Sequence, residues 1–251
     1  MRKQARASAD GWVTLLGPLF VLLLGCSTLH AQLKEKAPTL SRPLSVDDLV
    51  KARFHRVPGK AYGGASFDTG GSGSWYEHYA SSPTVEYDGD TYRMWFVGGA
   101  PTKHPGVPYG FYERIGLATS TDGINWQIAN DGKPVLDAGP VGSPDAKGLA
   151  HPYVLRVGEK FLMWYGAIDG KQASDLGLSP GHVRVERICL ATSTDGIRWK
   201  RENQGKPVLD IGPKGSIDSI QATGMHVLKI GSRFVMWYGA YNGRHTSGRA
   251  Y

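Results

Sequence analysis

The chain has 251 residues and a formal net charge of +7, and 41% of its residues are hydrophobic while 20% are charged. These proportions are typical of a globular protein and exclude a disordered or collagen-like chain. The basic residues are scattered and form no run, which argues against nucleic acid as a partner. Glycine is abundant at 34 residues, beside 15 prolines and 12 tyrosines, which favours many short strands over long helices.

Residues 1–26 have the pattern of an export signal. Arg2, Lys3 and Arg6 precede an apolar stretch over 12–25, which is shorter than the roughly 20 residues that a membrane-spanning helix needs. The stretch ends in Leu-Leu-Gly-Cys26, which resembles the lipobox of bacterial lipoproteins, whose cysteine is acylated after cleavage. An ordinary signal peptide with a chance cysteine is the alternative. Both predict an exported protein, either lipid-anchored to the cell envelope through Cys26 or secreted.

Residues 27–53 are predicted to be a tether, because they begin with a polar segment that contains proline. Beyond Cys26 only Cys189 remains, so the sequence offers neither a disulfide framework nor a cysteine-based metal site. Cys189 lies in an apolar segment and is predicted to be buried filler.

An internal repeat decides the predicted architecture. The sequence Arg-Ile-x-Leu-Ala-Thr-Ser-Thr-Asp-Gly-Ile-x-Trp occupies 114–126 and returns, displaced by 73 residues, at 187–199. A Met-Trp pair in an apolar run occurs three times, with its tryptophan at 95, 164 and 237. Each unit predicts four strands, the first of which is expected at 84–87, 153–157 and 226–230, and Asp-Gly turns precede the fourth. Four antiparallel strands that recur at about 70 residues indicate β-propeller blades.

The elements Met-Trp-Tyr-Gly, Ala-Thr-Ser-x-Asp-Gly-x-x-Trp and Pro-Val-Leu, taken together, resemble the five-bladed propeller superfamily of arabinanase-, β-xylosidase- and invertase-type glycosidases. The resemblance covers residues 54–251 and implies an all-β propeller that hydrolyses glycosidic bonds of oligo- or polysaccharides. The repeats account for two full blades and a partial third. We therefore expect the chain to be an N-terminal part of a longer gene product.

Strand connectivity predicts where chemistry takes place. The long loops and the connections between blades lie on the face where the innermost strand of each blade begins, here called the channel face. Three acidic residues directly precede the predicted innermost strands, one in each blade: Glu77, Asp145 and Asp218. Glycosidic cleavage needs an acid and a carboxylate acting as base or nucleophile, so these residues are the predicted catalytic groups. The alternative is that they cap turns.

Neighbouring side chains on the channel face are candidate sugar-binding residues. Aromatic rings can stack on sugars or pack against a rim, and imidazole and amide groups can bond sugar hydroxyls or be satisfied within the fold. The candidates are Trp75, Tyr76, His78, His151 and Gln221.

The resemblance also implies an aspartate at the start of the first innermost strand, often followed by proline. The three blades instead have Ser82-Pro83, His151-Pro152 and Gly224-Met225 at this place, so no family catalytic residue carries over. A non-catalytic carbohydrate-binding surface protein and a propeller interaction scaffold remain alternatives. No cofactor is expected; a structural calcium ion in the channel is left open, although no dense run of oxygen ligands argues for it. The sequence leaves the oligomeric state open.

Overall fold

The computed structural model describes residues 57–102 and 110–251, which belong to one compact unit. The predicted signal segment, Cys26 and the tether over 27–53 lie outside the described residues. Within the two described ranges, no helix is both long enough and apolar enough to cross a membrane.

The described strands form three antiparallel sheets, each a blade in chain order. Blade 1 contains β1 (Tyr79–Tyr87), β2 (Tyr92–Pro101), β3 (Phe111–Ser120) and β4 (Gln127–Ile128). Blade 2 contains β5 (Gly148–Val157), β6 (Lys160–Ile168), β7 (Arg187–Ser193) and β8 (Lys200–Arg201). Blade 3 contains β9 (Gln221–Ile230), β10 (Arg233–Tyr241) and β11 (His245–Ala250). The predicted all-β fold, with two four-stranded blades and a partial third, is confirmed.

The innermost strands begin five residues earlier than the sequence predicts, at positions 79, 148 and 221. A β-bulge interrupts each of them, and in blade 1 the register with β2 shifts between Ser81 and Thr84. A bulge adds one residue to one strand and breaks its alternation of side chains. In the sequence, the alternation of side chains that marks a strand is therefore regular only after the bulge, which is why the predicted strands begin too late.

The repeated Asp-Gly turns connect the third strand of a blade to the fourth. Asp122 Oδ1 accepts hydrogen bonds from the backbone N–H groups of Ile124 at 2.8 Å and Asn125 at 2.7 Å. These N–H donors hold the pKa of the Asp122 carboxyl well below its usual range. Gly123 takes a φ of 70°, which glycine adopts without steric cost. Asp122 is therefore a turn residue.

Tryptophan side chains join one blade to the next. Trp95 is fully buried, and its indole Nε1 donates to the Gly196 carbonyl oxygen of blade 2 at 2.9 Å. Its ring packs against Phe161 and Trp199 of the same blade. Trp237, the equivalent residue of blade 3, is 39% exposed and lies under the Arg249 guanidinium. The same residue type thus has opposite environments in two repeats.

Cys189 belongs to the core between blades 1 and 2. The residue is 1% exposed, and burial raises the pKa of its thiol to about 12. A thiol in this state is a packing group, because nucleophilic cysteines need thiolate character and access.

Replacing the buried indole tests the blade-to-blade contact. We expect Trp95→Phe to lower the free energy of unfolding by about 2 kcal/mol, because it leaves the Gly196 carbonyl unsatisfied and opens a void. Trp237→Phe is the matched control and should change it by less than about 0.5 kcal/mol. Urea unfolding of both variants measures the difference, and equal losses would contradict the assigned contact.

Candidate functional site

A cavity of about 260 Å³ opens between blades 2 and 3 on the channel face. Gln221, the first residue of β9, lies at its wall together with Glu186, which directly precedes β7. Its other polar walls come from His151, Arg184 and Thr223. Polar side chains from two blades therefore converge on one concave surface.

Glu186 is the buried carboxylate of this cavity, with 1% exposure. The Thr223 hydroxyl donates to its Oε1, and Arg184 Nη2 lies 3.3 Å from its Oε2. Gly166 provides the space for the side chain, because a Cβ at that position would overlap Oε1 of Glu186. The buried charge is thus paired and hydrogen-bonded, as a carboxylate in a low-dielectric site requires.

Glu113 of blade 1 is the repeat equivalent of Glu186. Its Oε2 lies 2.6 Å from Arg184 Nη1, and its Oε1 accepts a hydrogen bond of 2.7 Å from the Tyr79 hydroxyl. Burial and the neighbouring Glu113 charge raise the pKa of Tyr79 well above its usual value, so this phenol remains a proton donor.

Arg184 therefore holds two glutamates, and we call Glu113, Arg184 and Glu186 the glutamate–arginine bridge. Together with Tyr79 and Thr223 it links side chains from all three described blades. Two carboxylates against one guanidinium leave the bridge with a formal charge of −1. Such a site favours a ligand or transition state that carries positive charge.

Sequence reasoning missed both glutamates, although a signal was present. The long repeat runs from Arg114 and from Arg187, and a glutamate immediately precedes each arginine. The arginines bond acidic residues of their own blades, with Arg187 Nε 2.7 Å from Asp210 Oδ1. A repeat that began one residue earlier would have indicated paired carboxylates.

Two of the predicted sugar-binding residues, His151 and Gln221, line the cavity. Gln221 Nε2 donates to the Arg184 carbonyl oxygen at 3.0 Å. His151 Nδ1 lies 3.3 Å from Ser82 Oγ of blade 1. The structure thus brings these two candidates together with the bridge.

The predicted aromatic candidates lie within blade 1. Trp75 Nε1 donates to the Gly132 carbonyl oxygen at 2.8 Å, and its ring stacks on Phe96. Tyr76 packs edge-on against the same Phe96 ring. His78 is exposed and stacks on Phe111 with ring centroids 4.4 Å apart. Trp75 and Tyr76 are therefore held in an aromatic cluster, while sugar binding by these residues stays a prediction.

Asp145, a predicted catalytic residue, is 1% exposed and bonded within its own blade. Its Oδ2 accepts from the Tyr165 hydroxyl of β6 at 3.0 Å and from Arg201 Nε of β8 at 2.7 Å. Its Oδ1 accepts from Ser143 Oγ at 2.8 Å. These contacts fasten the connection between blades 1 and 2 onto blade 2.

Asp218 repeats this arrangement in blade 3 without the arginine. Its two oxygens accept from Ser216 Oγ at 2.8 Å and from the Tyr238 hydroxyl at 2.9 Å. Burial raises the pKa of Tyr238 to about 12, and the hydrogen bond to Asp218 adds to this effect. Glu77 Oε2 instead accepts from the Gly73 N–H of its own turn at 2.5 Å. All three predicted acids thus have structural partners, and their catalytic role stays a prediction.

Blade 1 lacks the aspartate–tyrosine pair. Tyr76 and Phe96 stand at the positions that Asp145 and Tyr165 occupy in blade 2. The Ser74 hydroxyl, equivalent to that of Ser143, is buried with no hydrogen-bond partner among the described residues. An aromatic contact has taken the place of a buried polar network.

Among residues 57–102 and 110–251, no three His, Cys, Asp or Glu side chains are arranged to hold a metal ion.

Comparison with known proteins gives curated relatives and solved structures that resemble part of the chain. No family model matches the chain. A beta-1,2-mannobiose phosphorylase of Thermoanaerobacter sp. (strain X514) is 28% identical over 131 residues, which cover 50% of this chain and 39% of that protein. The Uncharacterized protein Rv1502 of Mycobacterium tuberculosis is 29% identical over 176 residues, which cover 68% of this chain and 50% of that protein.

Among solved structures, a family 117 glycoside hydrolase, Zg3597, of the marine bacterium Zobellia galactanivorans matches with a TM-score of 0.55. It is 16% identical, and the match covers 78% of this chain and 56% of that chain. The chain has the fold of the propeller glycosidases. The resemblance seen in the sequence is thereby confirmed for the fold. The chain spans half or less of the length of the curated relatives it matches.

Amide substitutions compare how much each of the two buried aspartates contributes to stability. We expect Asp145→Asn to lower the free energy of unfolding by about 3 kcal/mol, because it leaves the Arg201 charge without its partner. Asp218→Asn keeps an acceptor for Tyr238 and has no arginine to lose, so about 1 kcal/mol is expected. Chemical denaturation compares the two, and a smaller loss for Asp145→Asn would contradict the assigned ion pair.

Proposed function

We propose that this protein is a carbohydrate-active enzyme that cleaves glycosidic bonds in the cavity between blades 2 and 3. The observation that carries the proposal is the convergence of Glu186, Arg184, His151 and Gln221 on this cavity. The fold and the phosphorylase relative support carbohydrate as the ligand class.

The glutamate–arginine bridge suits the chemistry of this reaction. Glycosidic cleavage passes through an oxocarbenium-like transition state with positive charge on the sugar ring. A site with a formal charge of −1, enclosed by protein, stabilises that charge more strongly than water does. In this proposal Glu186 activates or orients the attacking group, and Arg184 and Thr223 hold its carboxylate in place.

Two attacking groups fit the proposal, and their products differ. Water would form a new bond to the anomeric carbon as the bond from that carbon to the bridging oxygen breaks, and its proton would pass to the leaving oxygen, so that two free sugars are released. Hydrogen phosphate would form a bond to the same carbon and break the same bond, its proton would pass to the leaving oxygen, and one free sugar and one sugar 1-phosphate would be released. The name of the phosphorylase relative makes the second reaction worth testing beside the first.

Turnover can be measured on β-1,2-mannobiose, α-1,5-arabinobiose, xylobiose and sucrose, each with and without inorganic phosphate. We expect cleavage of at least one disaccharide, and chromatography of the products distinguishes hydrolysis from phosphorolysis. Binding of a disaccharide without turnover would instead support the carbohydrate-binding alternative. Ser82, His151 and Gly224 favour that alternative, because the resemblance implies an aspartate at this place in the first innermost strand.

Two substitutions test the role of Glu186. Glu186→Gln keeps the shape but removes the carboxylate, and we expect turnover to fall by about 100-fold or more. Gly166→Ala retains the carboxylate but forces it to move, and it should also reduce turnover without removing any ionisable group. Unchanged turnover in both variants would contradict the proposed site.

The same assay tests the carboxylates predicted from the sequence. Glu77→Gln, Asp145→Asn and Asp218→Asn are compared with Glu186→Gln at a temperature where every variant is folded. A loss in any of the three that equals the loss in Glu186→Gln would move catalysis toward that residue.

We also propose that the protein is exported and anchored to the cell envelope through an acylated Cys26. The proposal rests on the basic start, the short apolar stretch and the Leu-Leu-Gly-Cys26 ending. Cys26→Ser should move the protein from the membrane fraction to the soluble fraction in a bacterial host. Wild-type protein in the soluble periplasmic fraction would exclude the anchor and leave export alone.

A further inference from the structure

The three β-bulges place a residue with left-handed backbone at the same point of each innermost strand. Ser82, His151 and Gly224 have φ values of 51°, 48° and 56°. Glycine adopts this conformation freely, whereas a residue with a Cβ is strained by about 1 kcal/mol or more. Blade 3 uses the residue that fits the backbone, and blades 1 and 2 do not.

The other described non-glycine residues with positive φ lie in turns that asparagine side chains stabilise. They lie in the two repeated turns after β4 and β8, at Asn130, Asp131, Asn203 and Gln204. In the second of these turns the Asn203 side chain donates to the Lys206 and Pro207 carbonyl oxygens, which stabilises the turn. Asn130 makes the equivalent bonds in the first.

The Ser82 and His151 side chains instead contact each other on the channel face. Ser82 Oγ and His151 Nδ1 lie 3.3 Å apart across the boundary between blades 1 and 2, and His151 lines the cavity. Because Ser82 occupies Nδ1, the second ring nitrogen, Nε2, is the one that can contact a ligand. Strained residues that persist beside a cavity are characteristic of functional sites.

We propose that Ser82 and His151 act together as a binding pair for a sugar hydroxyl in the cavity between blades 2 and 3. His151 contacts the sugar through Nε2, and Ser82 is the positioning residue that holds the orientation of the ring through its contact with Nδ1. This inference rests on the proposed function, since it names the residues with which that cavity holds its ligand.

Glycine substitutions separate a binding role from a structural one. Ser82→Gly and His151→Gly relieve the backbone strain, so the thermal unfolding midpoint should stay the same or rise by a few degrees. Affinity for the disaccharide that wild type binds best among β-1,2-mannobiose, α-1,5-arabinobiose, xylobiose and sucrose should fall about tenfold in each variant. Calorimetric titration and differential scanning calorimetry give the two measurements.

Gln204→Gly is the matched control, because Gln204 has a φ of 57° and is exposed in an outer turn. It should show the same thermal behaviour with unchanged affinity. A thermal midpoint lowered by several degrees in Ser82→Gly and His151→Gly would assign the pair to the scaffold and overturn the inference.

The measured disaccharide affinities distinguish a failure of this inference from a failure of the proposed function. Unchanged affinity in both variants, with binding intact in wild type, would overturn this inference alone. Absence of binding to all four disaccharides in wild type would overturn the proposed function and this inference with it.

Discussion

The contact of Trp95 in blade 1 with the Asp-Gly turn of blade 2 fixes how these two sheets stack. Trp95 reaches Gly196 only because that turn presents a carbonyl oxygen and has no side chain in the way. A Cβ on Gly196 would lie 2.8 Å from the Trp95 ring, and its φ of 75° suits glycine. The side-chain oxygens of Ser193 and Asp195 hold the turn by accepting hydrogen bonds from the backbone N–H groups of Gly196 and Ile197. Gly196 is therefore needed both for the hairpin turn and for the contact between the blades.

The glutamate–arginine bridge depends on the spacing between blades 1 and 2 and between blades 2 and 3. Glu113, Arg184 and Thr223 come from different blades or from the loop between β6 and β7, so the bridge exists only while the blades keep their spacing. Buried ion pairs seldom add net stability, because desolvation offsets their attraction. The bridge is thus better understood as a device that positions Glu186 than as a source of folding energy.

The repeat made most of the fold predictable, since nearly identical segments 73 residues apart favour the same strands and turns. The beginnings of the innermost strands were not predictable, because a bulge at Ser82 and His151 interrupts the alternation that marks a strand. The site was only half predictable. His151 and Gln221 were found from their position before or within an innermost strand, and both line the cavity.

The acids were harder to place for a physical reason. Topology assigns Asp145 to the channel face, but it does not say which way the side chain turns. That direction is decided by Tyr165 and Arg201, which are distant in sequence. The burial of Glu186 could not be predicted from the residues around it in the sequence. It depends on the space at Gly166 and on the hydroxyl of Thr223.

The exchange of an aspartate–tyrosine pair for Tyr76 and Phe96 constrains how the blades can diverge. A phenylalanine at position 165 would remove one of the hydrogen-bond donors to Asp145, and a tyrosine at position 96 would bring a second phenol into the apolar cluster around Tyr76. Either single exchange is expected to cost stability, which couples the two positions. Ser74 is the equivalent of Ser143 and Ser216, which donate to the aspartates of their blades, and its hydroxyl has no hydrogen-bond partner among the described residues. At this site the repeats of the chain therefore differ by a pair of contacting residues, and a difference at one residue alone would leave a poorer contact.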